Sequence, residues 1–309
     1  MTLNAVGDLM LARDIITLMD AKGSAHPFAA VRHLLADADV TIANMEGTFT
    51  DRGIAASKYY TFRTPPRHAE GLAEAGIDVV SLGNNHAMDF GPVGLADTLA
   101  ALDAAGIAHS GAGPDAVSAR QPARLMVNGL GLAFLSYNYV AESTPAGPSS
   151  AGVAWGDAAT IRQDVVAAKQ AADLVIVSLH GGTEYNDGVT ETQRLRARAA
   201  IEAGAALVLG HHAHVFQGWQ VVGSAAGRAV IVWGLGNFVF DLDFEDLATL
   251  GPRPFQTAVL HFELTREGVH SVSARPVYID PAENRPVPAT GDRLREIEAR
   301  LERLNAALH

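Results

Sequence analysis

Polar residues of the kind that bind metal ions follow several short apolar runs of this sequence. They form five groups: Asp8; Asn44 with Glu46; Asn84, Asn85, His86 and Asp89; His180 with Glu184; and His211, His212 and His214. Divalent ions such as zinc, manganese, iron and magnesium take mixed imidazole, carboxylate and amide ligands. An apolar run that ends in His-His-Ala-His has no structural need for three imidazoles. The pattern therefore predicts a metal site.

The elements that must position these groups are short β-strands. Alternating β-rich and helical stretches are typical of an α/β protein and predict strands at residues 2–6, 40–43, 79–82, 174–180, 206–214 and 229–237. Helices are predicted at 95–105 and 191–204, where a glycine ends each helical run. Open α/β sheets place their ligand sites at the carboxyl ends of the strands, so we expect the five groups to share one site.

The chain is predicted to form a single domain over residues 1–309. The segment 142–156 is rich in Pro, Gly and Ser and is predicted to be a long loop, not a domain boundary, because strands with polar ends resume after it. Leu294, Ile297, Leu301, Leu304 and Leu308 recur at three- and four-residue spacing, which predicts an amphipathic helix at 292–308. We expect this helix to pack on the domain, with a dimer seam as the less favoured alternative.

The amino-acid composition excludes several kinds of functional site and argues against some partners. The 309 residues include no cysteine, which excludes disulfides, thiolate metal sites and a cysteine nucleophile. The net charge of −11 argues against a nucleic-acid partner. Because no leader pattern opens the chain and no apolar stretch is long enough to span a bilayer, we expect a cytoplasmic protein without a membrane partner. The oligomeric state stays open.

Six sequence motifs show a resemblance to a known family. They are, in order, GDLML, NMEG, GNNHAMDFG, LHGGTEY, GHHAHV and WGLGNFVFD. Their order and approximate spacing resemble those of the CapA-like, poly-γ-glutamate capsule-synthesis family, which looks like a branch of the calcineurin-like metallophosphoesterase superfamily. The likeness covers about residues 4–245. It implies two facing mixed β-sheets flanked by helices, an α/β/β/α sandwich, and is less specific for the reaction.

The resemblance implies a set of metal ligands and one proton donor. The implied ligands are Asp8, Glu46, Asn85, His180, His212 and His214. Glu46 stands where a bridging aspartate is usual, and His86 matches the histidine that acts as an acid or stabilises the transition state. His211 is the extra histidine and is expected beside the ligands. The implied cofactor is a divalent metal, with Mn, Zn, Fe, Mg or Ca as candidates.

One departure from the superfamily pattern affects the expected number of metal ions. The usual first motif is Asp-x-His, but Met10 stands two residues after Asp8, and a thioether does not replace imidazole on a hard ion. The first site keeps Asp8 and His214, the second keeps Asn85, His180 and His212, and Glu46 belongs to both. We therefore predict a firm second site and a weak or vacant first one.

Two polar residues are predicted to support the ligands without binding metal. Asp89, three residues after His86, could orient that imidazole by a hydrogen bond, or it could cap the next helix. Both roles stay open on the sequence alone. Asn44, two residues before Glu46, is expected beside the ligands.

Three further residues are candidates for substrate contacts. Arg63, in TFRTPP, carries a guanidinium that could bind a carboxylate or phosphate. Glu184 and Tyr185 belong to a motif shared with the family and could hold either the substrate or His180.

Three functions are compatible with these residues. The favoured one is hydrolysis of a γ-glutamyl or peptide-like amide, or of a phosphoester, with His86, Asp8 and His214 as catalytic residues. The alternative is epimerisation of a peptide Cα, with Asp8 and His212 or His214 as the acid/base pair. The third is a non-catalytic capsule-assembly or binding protein. For the enzymes we expect a small-molecule or peptide substrate, which can be anionic because bound cations would offset Asp8 and Glu46.

Overall fold

The computed structural model describes residues 1–224 and 227–308. Its strands are β1 Thr2–Leu9, β2 Val40–Met45, β3 Thr48–Phe49, β4 Arg63–Thr64, β5 Val79–Ser81, β6 Ala108–Ser110, β7 Ala112–Gly113, β8 Ala123–Val127, β9 Leu130–Asn138, β10 Gly152–Val153, β11 Leu174–His180, β12 Leu207–His211, β13 Phe216–Ser224, β14 Gly227–Leu235, β15 Asn237–Val239, β16 Gln256–Thr265, β17 Gly268–Asp280 and β18 Arg285–Pro288. Its α-helices are α1 Asp14–Lys22, α2 Arg32–Leu35, α3 Glu70–Ala75, α4 Gly91–Ala104, α5 Ala116–Ala119, α6 Ala158–Lys169, α7 Glu191–Glu202, α8 Phe244–Leu250 and α9 Gly291–Ala306.

The main sheet consists of two halves. The strand order is β6-β5-β2-β1-β16-β17 in the first half and β14-β12-β11-β9-β8 in the second. Within the described residues, Arg228 of β14 pairs with Gly268 of β17, and the short strand β15 pairs with β1 directly after β14 has ended. Strands β1, β2, β5 and β6 are parallel, as are β9, β11, β12 and β14, whereas β16 runs antiparallel to β1. The sheet is therefore mixed, with a parallel centre in each half.

Three hydrophobic cores give the molecule four layers. The inner core contains side chains from both halves of the sheet, such as Leu3 and Ile42 from the first and Ile176 and Leu209 from the second. A second core lies between the first half and helices α1 to α4, and a third lies between the second half and helices α6 and α7. The α/β/β/α sandwich is therefore confirmed, with its two facing sheets joined through β14, β15 and their partners.

The predicted elements are largely present, with shifted ends. Helices 95–105 and 191–204 correspond to α4 and α7, and α7 begins with a capping box formed by Thr190 and Gln193. The strand predicted at 206–214 is wrong at its end, because β12 stops at His211. His212 and His214 have φ angles of 85° and 55°, which turn the chain out of the extended conformation. The predicted loop 142–156 contains the short strand β10.

Helix α9 lies against the inner core. Ile297 and Leu301 are buried there, and the side-chain oxygen of Asn305 accepts a 2.8 Å hydrogen bond from the backbone N–H of Trp219. These contacts are those expected of a helix that packs on the rest of the chain. The single domain over residues 1–309 stays a prediction. Among the described helices, none has both the length and the apolar character needed to cross a membrane.

Strand β1 approaches the site through a close backbone contact. A Cβ atom at Gly7 would lie 1.9 Å from the carbonyl oxygen of Gly236. That same carbonyl accepts a 2.9 Å hydrogen bond from the backbone N–H of Asp8. Only glycine permits this approach, so Gly7 fixes the position of the aspartate that follows it.

We expect Gly7→Ala to lower the free energy of unfolding by about 3 kcal/mol, because the methyl group forces β1 away from Gly236. Urea denaturation measures the change. The matched control is Gly131→Ala in β9, where the nearest atom to an added Cβ is 3.6 Å away. Equal losses in the two variants would contradict the explanation.

Candidate metal centre

The carboxyl ends of the central strands meet between the two halves of the sheet. In the first half, Asp8 of β1 is paired in register with Asn44 of β2. In the second half, His180 of β11 is paired with His211 of β12. The halves meet where His211 Nδ1 lies 3.0 Å from Asp8 Oδ1. The structure thus brings the strand-end groups together, as the sequence predicted.

Asp8 is fully buried and is held by residues of both halves. Its Oδ1 accepts a 2.9 Å hydrogen bond from Asn44 Nδ2 in addition to the contact with His211. Its Oδ2 lies 3.3 Å from the backbone nitrogen of His212 and 3.5 Å from Nδ1 of His214. Burial raises the pKa of Asp8, but the hydrogen bond and charge of His211 and the charge of His214 outweigh it. The pKa is lowered overall, so the carboxylate of Asp8 is charged as well as fixed, as a metal ligand has to be.

Glu46 is equally buried, yet neither of its carboxylate oxygens has a hydrogen-bond partner among the described residues. Three imidazole nitrogens face its Oε1: His86 Nε2 at 3.7 Å, His214 Nε2 at 3.9 Å and His180 Nε2 at 4.0 Å. Burial, and then the charge of Asp8, raises the pKa of Glu46 well above its usual value. A buried carboxylate without donors is unfavourable, and a cation between it and the imidazoles removes that cost. The residues therefore fit a divalent metal.

The side chains of His180 and Asn85 face each other, whereas that of Asn84 is held by backbone groups. His180 Nε2 lies 2.8 Å from Asn85 Oδ1. The Asn84 side chain donates to the carbonyl oxygen of Met45 at 2.8 Å and accepts from the backbone N–H of His86 at 3.0 Å. Burial lowers the pKa of His180 well below its usual value, so its imidazole stays neutral and can bind a metal.

The histidines after β12 lie on a tight turn. His212 and His214 both have positive φ, and their rings are 5.9 Å apart. His214 Nδ1 lies 2.9 Å from Asn237 Oδ1, which fixes the ring, and the His212 ring lies 4.9 Å from that of His180. Burial lowers the pKa of His212 to about 3. His211 remains in the strand, where it is buried beside Asp8.

His86 is oriented by an acidic and a basic neighbour. Its Nδ1 lies 2.8 Å from Asp89 Oδ2, and the other oxygen of Asp89 forms a 2.5 Å ion pair with Lys58. Asp89 also accepts a 2.6 Å hydrogen bond from the backbone N–H of Phe62. The first residue before α4 is Phe90, and no side chain caps this helix. Of the two roles considered for Asp89, the structure therefore shows the orienting contact with His86 and not the helix cap. The contact of Asp89 with Lys58 was not predicted.

Met10 does not present its sulfur to the cluster as a free ligand. The side chain is buried, and Sδ accepts a 3.2 Å hydrogen bond from the backbone N–H of Ala12. The backbone of Met10 donates to Val239 at 2.9 Å. The residue thus shapes the loop after β1, and the position where the superfamily carries a histidine is occupied by a structural side chain.

A cavity of about 130 Å³ opens in front of the cluster, and both His86 and His214 line it. Its aromatic lining residues are Tyr60, Phe62, Tyr185 and Phe240. The Phe62 ring packs 4.2 Å from that of His86, and the Phe240 ring 5.2 Å from that of His214. These rings limit the movement of the two imidazoles and keep water from their faces.

Charged residues also line this cavity. Glu184 has a half-exposed side chain, and its Oε1 lies 3.9 Å from His212 Nε2. Burial, and then the charge of Glu184, raises the pKa of Tyr185 to about 12. The lining also includes three charged residues that were not predicted from the sequence to belong to the site: Arg13, Asp241 and Asp246.

Arg63 lies apart from these residues. Its guanidinium is 3.7 Å from the centre of the Phe90 ring and donates to the carbonyl oxygens of Arg52 and Gly53 at 2.9 and 3.1 Å. These contacts fix the loop before β4. The structure does not bring Arg63 to the cavity lining, and its role in substrate binding stays a prediction.

Three sets of side chains have ligand atoms within 4.8 Å of one another, close enough to share a metal ion. They are Asp8, Glu46 and His214; Glu46, His180 and His212; and Glu184, His212 and His214. The first two sets match the two sites predicted from the sequence. Asn85 adjoins the second of them through its contact with His180.

The chain is similar in sequence to proteins of one known family. Residues 2–242 match the family described as Bacterial capsule synthesis protein PGA_cap. The chain is 30% identical over 295 residues to the PGA biosynthesis protein CapA of Bacillus subtilis (strain 168), covering 94% of this chain and 74% of that protein. It is 28% identical over 304 residues to the capsule biosynthesis protein CapA of Bacillus anthracis, covering 96% and 71%.

Among solved structures, a 5'-nucleotidase precursor from Thermus thermophilus is similar with a TM-score of 0.53 at 16% identity. The likeness covers 98% of this chain and 58% of that one, and it concerns the fold, that of the calcineurin-like metallophosphoesterases. The family match over residues 2–242 and the 30% identity to the Bacillus subtilis protein show that the chain belongs to the bacterial capsule synthesis, CapA-like family.

Proposed function

We propose that this protein is a metal-dependent hydrolase. The observation that carries the proposal is the carboxylate of Glu46, which is buried without a hydrogen-bond donor among the described residues and faces three imidazole nitrogens within 4.0 Å. A bound cation is the simplest reason for such a carboxylate to be retained. A divalent ion there supplies Lewis-acid polarisation of the bond to be cleaved and a water that is acidic enough to react near neutral pH.

The two candidate positions for a metal differ in their ligands. We assign the firmer one to Asn85, His180 and His212 and the weaker one to Asp8 and His214, with Glu46 between them. The weaker position lacks a second imidazole because Met10 stands where the superfamily carries a histidine, and its sulfur accepts a hydrogen bond from the backbone N–H of Ala12. Nitrogen and oxygen ligands suit Mn, Zn, Fe, Mg or Ca, with nitrogen favouring the transition metals.

His86 is the residue that we assign to proton transfer. Its Nδ1 contacts Asp89, which leaves Nε2 directed towards Glu46 and the cavity. Asp89 fixes the ring and Lys58 balances the charge of Asp89. Burial lowers the pKa of His86, although Asp89 opposes the shift. A neutral, oriented imidazole of this kind can exchange a proton with the reacting group.

The bond cleaved is, in our proposal, a γ-glutamyl or peptide-like amide, with a phosphoester as the second choice. Relatives named for PGA biosynthesis support the amide. Water would add across the C–N bond and give a carboxylate and an amine. Epimerisation is less well supported, because Asp8 is held by Asn44 and His211 and its lowered pKa makes it a weak base.

We expect turnover in deuterium oxide to separate these functions. The purified protein, loaded with Mn²⁺ or Zn²⁺, is incubated with γ-glutamyl peptides, an L-peptide and bis(p-nitrophenyl) phosphate, and the products are analysed by mass spectrometry. Hydrolysis gives cleaved products, whereas epimerisation gives an intact peptide with deuterium at Cα. Absence of turnover with every metal and substrate would favour the non-catalytic binding protein.

We expect His180→Ala and His212→Ala to abolish binding of the tighter metal ion. His86→Ala is the matched variant: it keeps the metal but lowers kcat by about 100-fold or more, because only proton transfer is lost. Calorimetric titration of the metal-free protein measures affinity and stoichiometry. Two equally tight ions in the unmodified protein would contradict the unequal sites, and full activity in His180→Ala would refute the metal site.

We expect Glu46→Gln to stabilise the metal-free protein while abolishing metal binding. The substitution removes a charge that burial disfavours, and it should raise the free energy of unfolding at pH 8 by about 1–2 kcal/mol. Thermal and urea unfolding in the presence of a chelator measure the change. Glu298→Gln, on the exposed face of α9, is the control with no change expected. A less stable metal-free Glu46→Gln protein would show that Glu46 serves the fold and not a cation.

A further inference from the structure

Arg13 brings a positive charge to the cavity beside the metal cluster. It lines the cavity together with His86 and His214, and among the described lining residues it is the only Arg or Lys. Its guanidinium carbon lies 5.1 Å from the centre of the Tyr60 ring and 5.2 Å from that of Phe62. The side chain is 40% exposed. The aromatic rings therefore place a cation that a ligand can reach.

The backbone of Arg13 is strained. Its φ of 57° and ψ of −128° lie in a region that residues with a Cβ rarely adopt. Such a conformation costs about 1–3 kcal/mol, and glycine would adopt it freely. Strain of this kind is typical of functional sites, and here it directs the side chain from the loop after β1 towards the cavity.

The described residues leave most of the hydrogen-bonding capacity of Arg13 unused. Among its contacts with them, only Nη1 donates, to the two carboxylate oxygens of Asp241 at 3.1 and 3.2 Å. Nε and Nη2 make no hydrogen bond to the described residues. A guanidinium has five N–H donors in a planar fork, so Arg13 can bind a second carboxylate without leaving Asp241.

Two carboxylates lie in the same cavity without a cationic partner. Glu184 and Asp246 both line it, and neither forms an ion pair with an Arg or Lys among the described residues. One oxygen of Asp246 accepts a 3.1 Å hydrogen bond from the backbone N–H of Asp243, which fixes the side chain at the start of α8. Glu184 and Asp246 are both close enough to Tyr185 for their charges to raise its pKa. Besides the Arg13–Asp241 ion pair, the described lining of the cavity thus carries two carboxylates near Tyr185 that no Arg or Lys offsets.

We propose that this cavity recognises a zwitterionic α-amino-acid head group, with Arg13 binding the α-carboxylate and Asp246 together with Glu184 binding the α-ammonium. The inference rests on the proposed function, because the head group must lie beside the bond that is cleaved. A volume of about 130 Å³ is well below the roughly 300–1,000 Å³ of pockets for drug-sized ligands and suits one small group.

This recognition selects a particular kind of substrate. An amino-terminal γ-linked glutamyl residue has both its α-amino and its α-carboxylate group free, because the side-chain carboxyl forms the amide. An α-linked amino-terminal residue has a free α-amino group but no free α-carboxylate. The internal residues of a γ-linked chain have a free carboxylate but no ammonium. The site therefore acts on the amino-terminal residue of a γ-glutamyl compound and disfavours α-peptides.

Binding without turnover tests this recognition directly. Calorimetry of the metal-loaded protein is carried out with L-glutamate, with glutarate, which lacks the amine, and with γ-aminobutyrate, which lacks the α-carboxylate. We expect L-glutamate to bind at least about tenfold more tightly than either. Arg13→Lys and Arg13→Gly should remove the advantage over γ-aminobutyrate, and Asp246→Asn the advantage over glutarate. Arg13→Gly also relieves the backbone strain, so a folding defect is not expected to obscure the result.

Arg52→Ala is the matched control, because Arg52 forms an ion pair with Asp97 on the surface, away from the cavity lining. It should bind all three probes like the unmodified protein. Equal binding of the three probes by the unmodified protein, or unchanged binding of L-glutamate by both Arg13 variants, would overturn the proposal.

Kinetics distinguish failure of this inference from failure of the proposed hydrolase. The substrates are γ-L-glutamyl-p-nitroanilide, its α-carboxamide and its N-acetyl derivative. We expect Arg13→Lys to raise KM for the first by about tenfold or more without changing kcat/KM for the carboxamide. Equal cleavage of all three would refute head-group recognition and leave the hydrolase standing. Arg13-dependent binding of L-glutamate without cleavage of any amide or phosphoester would refute the hydrolase and leave the recognition site standing.

Discussion

The carboxylate of Glu46 is the group on which the arrangement of the site depends. It is buried, it has no hydrogen-bond donor among the described residues, and imidazoles from both halves of the sheet lie within 4.0 Å of it. Desolvating a charge in this way is costly, and a cation shared with His180 and His214 would offset the cost. The contact of Asp8 with His211 and the pairing of β15 with β1 already join the halves here, and such a cation would strengthen that link.

Backbone strain is concentrated around this group. Of the six described residues other than glycine with positive φ, four belong to the cluster or its cavity: Arg13, Tyr185, His212 and His214. The other two are asparagines, which tolerate this conformation. Long-range contacts hold the strained residues in place, such as the 2.8 Å hydrogen bond from the Tyr185 backbone to Ala213. The fold thus gives up part of its stability to direct side chains into one small volume.

The sequence predicted the strand-end residues because their positions follow from local patterns. Asp8 and His180 end apolar runs, and the rule for open α/β sheets brings such ends together. The turn at His212 was not predicted, because the apolar pattern continues past it. In the fold the backbone N–H of His212 donates to Asp8, which is distant in sequence. Lys58 and Asp241 were missed for the same reason: each acts through a partner far along the chain.

Arg13 and Arg63 show the opposite failures of sequence reasoning. Arg63 was a candidate for substrate binding on its residue type, but a guanidinium near turn residues is equally suited to fixing a loop, as its contacts with Phe90 and Gly53 show. Arg13 closely follows the GDLML motif, and this position was the only feature of the sequence that could have marked it as a site residue. The strained φ that directs it into the cavity is a property of the folded backbone and leaves no mark in the composition.

Charge balance couples metal binding to substrate binding. Asp8 and Glu46 in the cluster, and Glu184 and Asp246 in the cavity, all oppose the approach of a carboxylate, and the charge of Arg13 is already paired with that of Asp241. A divalent ion would make the local charge near the cluster positive, and burial leaves little solvent there to screen its attraction for a carboxylate. Metal and an acidic substrate should therefore bind cooperatively, each raising the affinity for the other by the same factor. On a protein with a net charge of −11, such coupling would confine the attraction for an anion to the metal-loaded site.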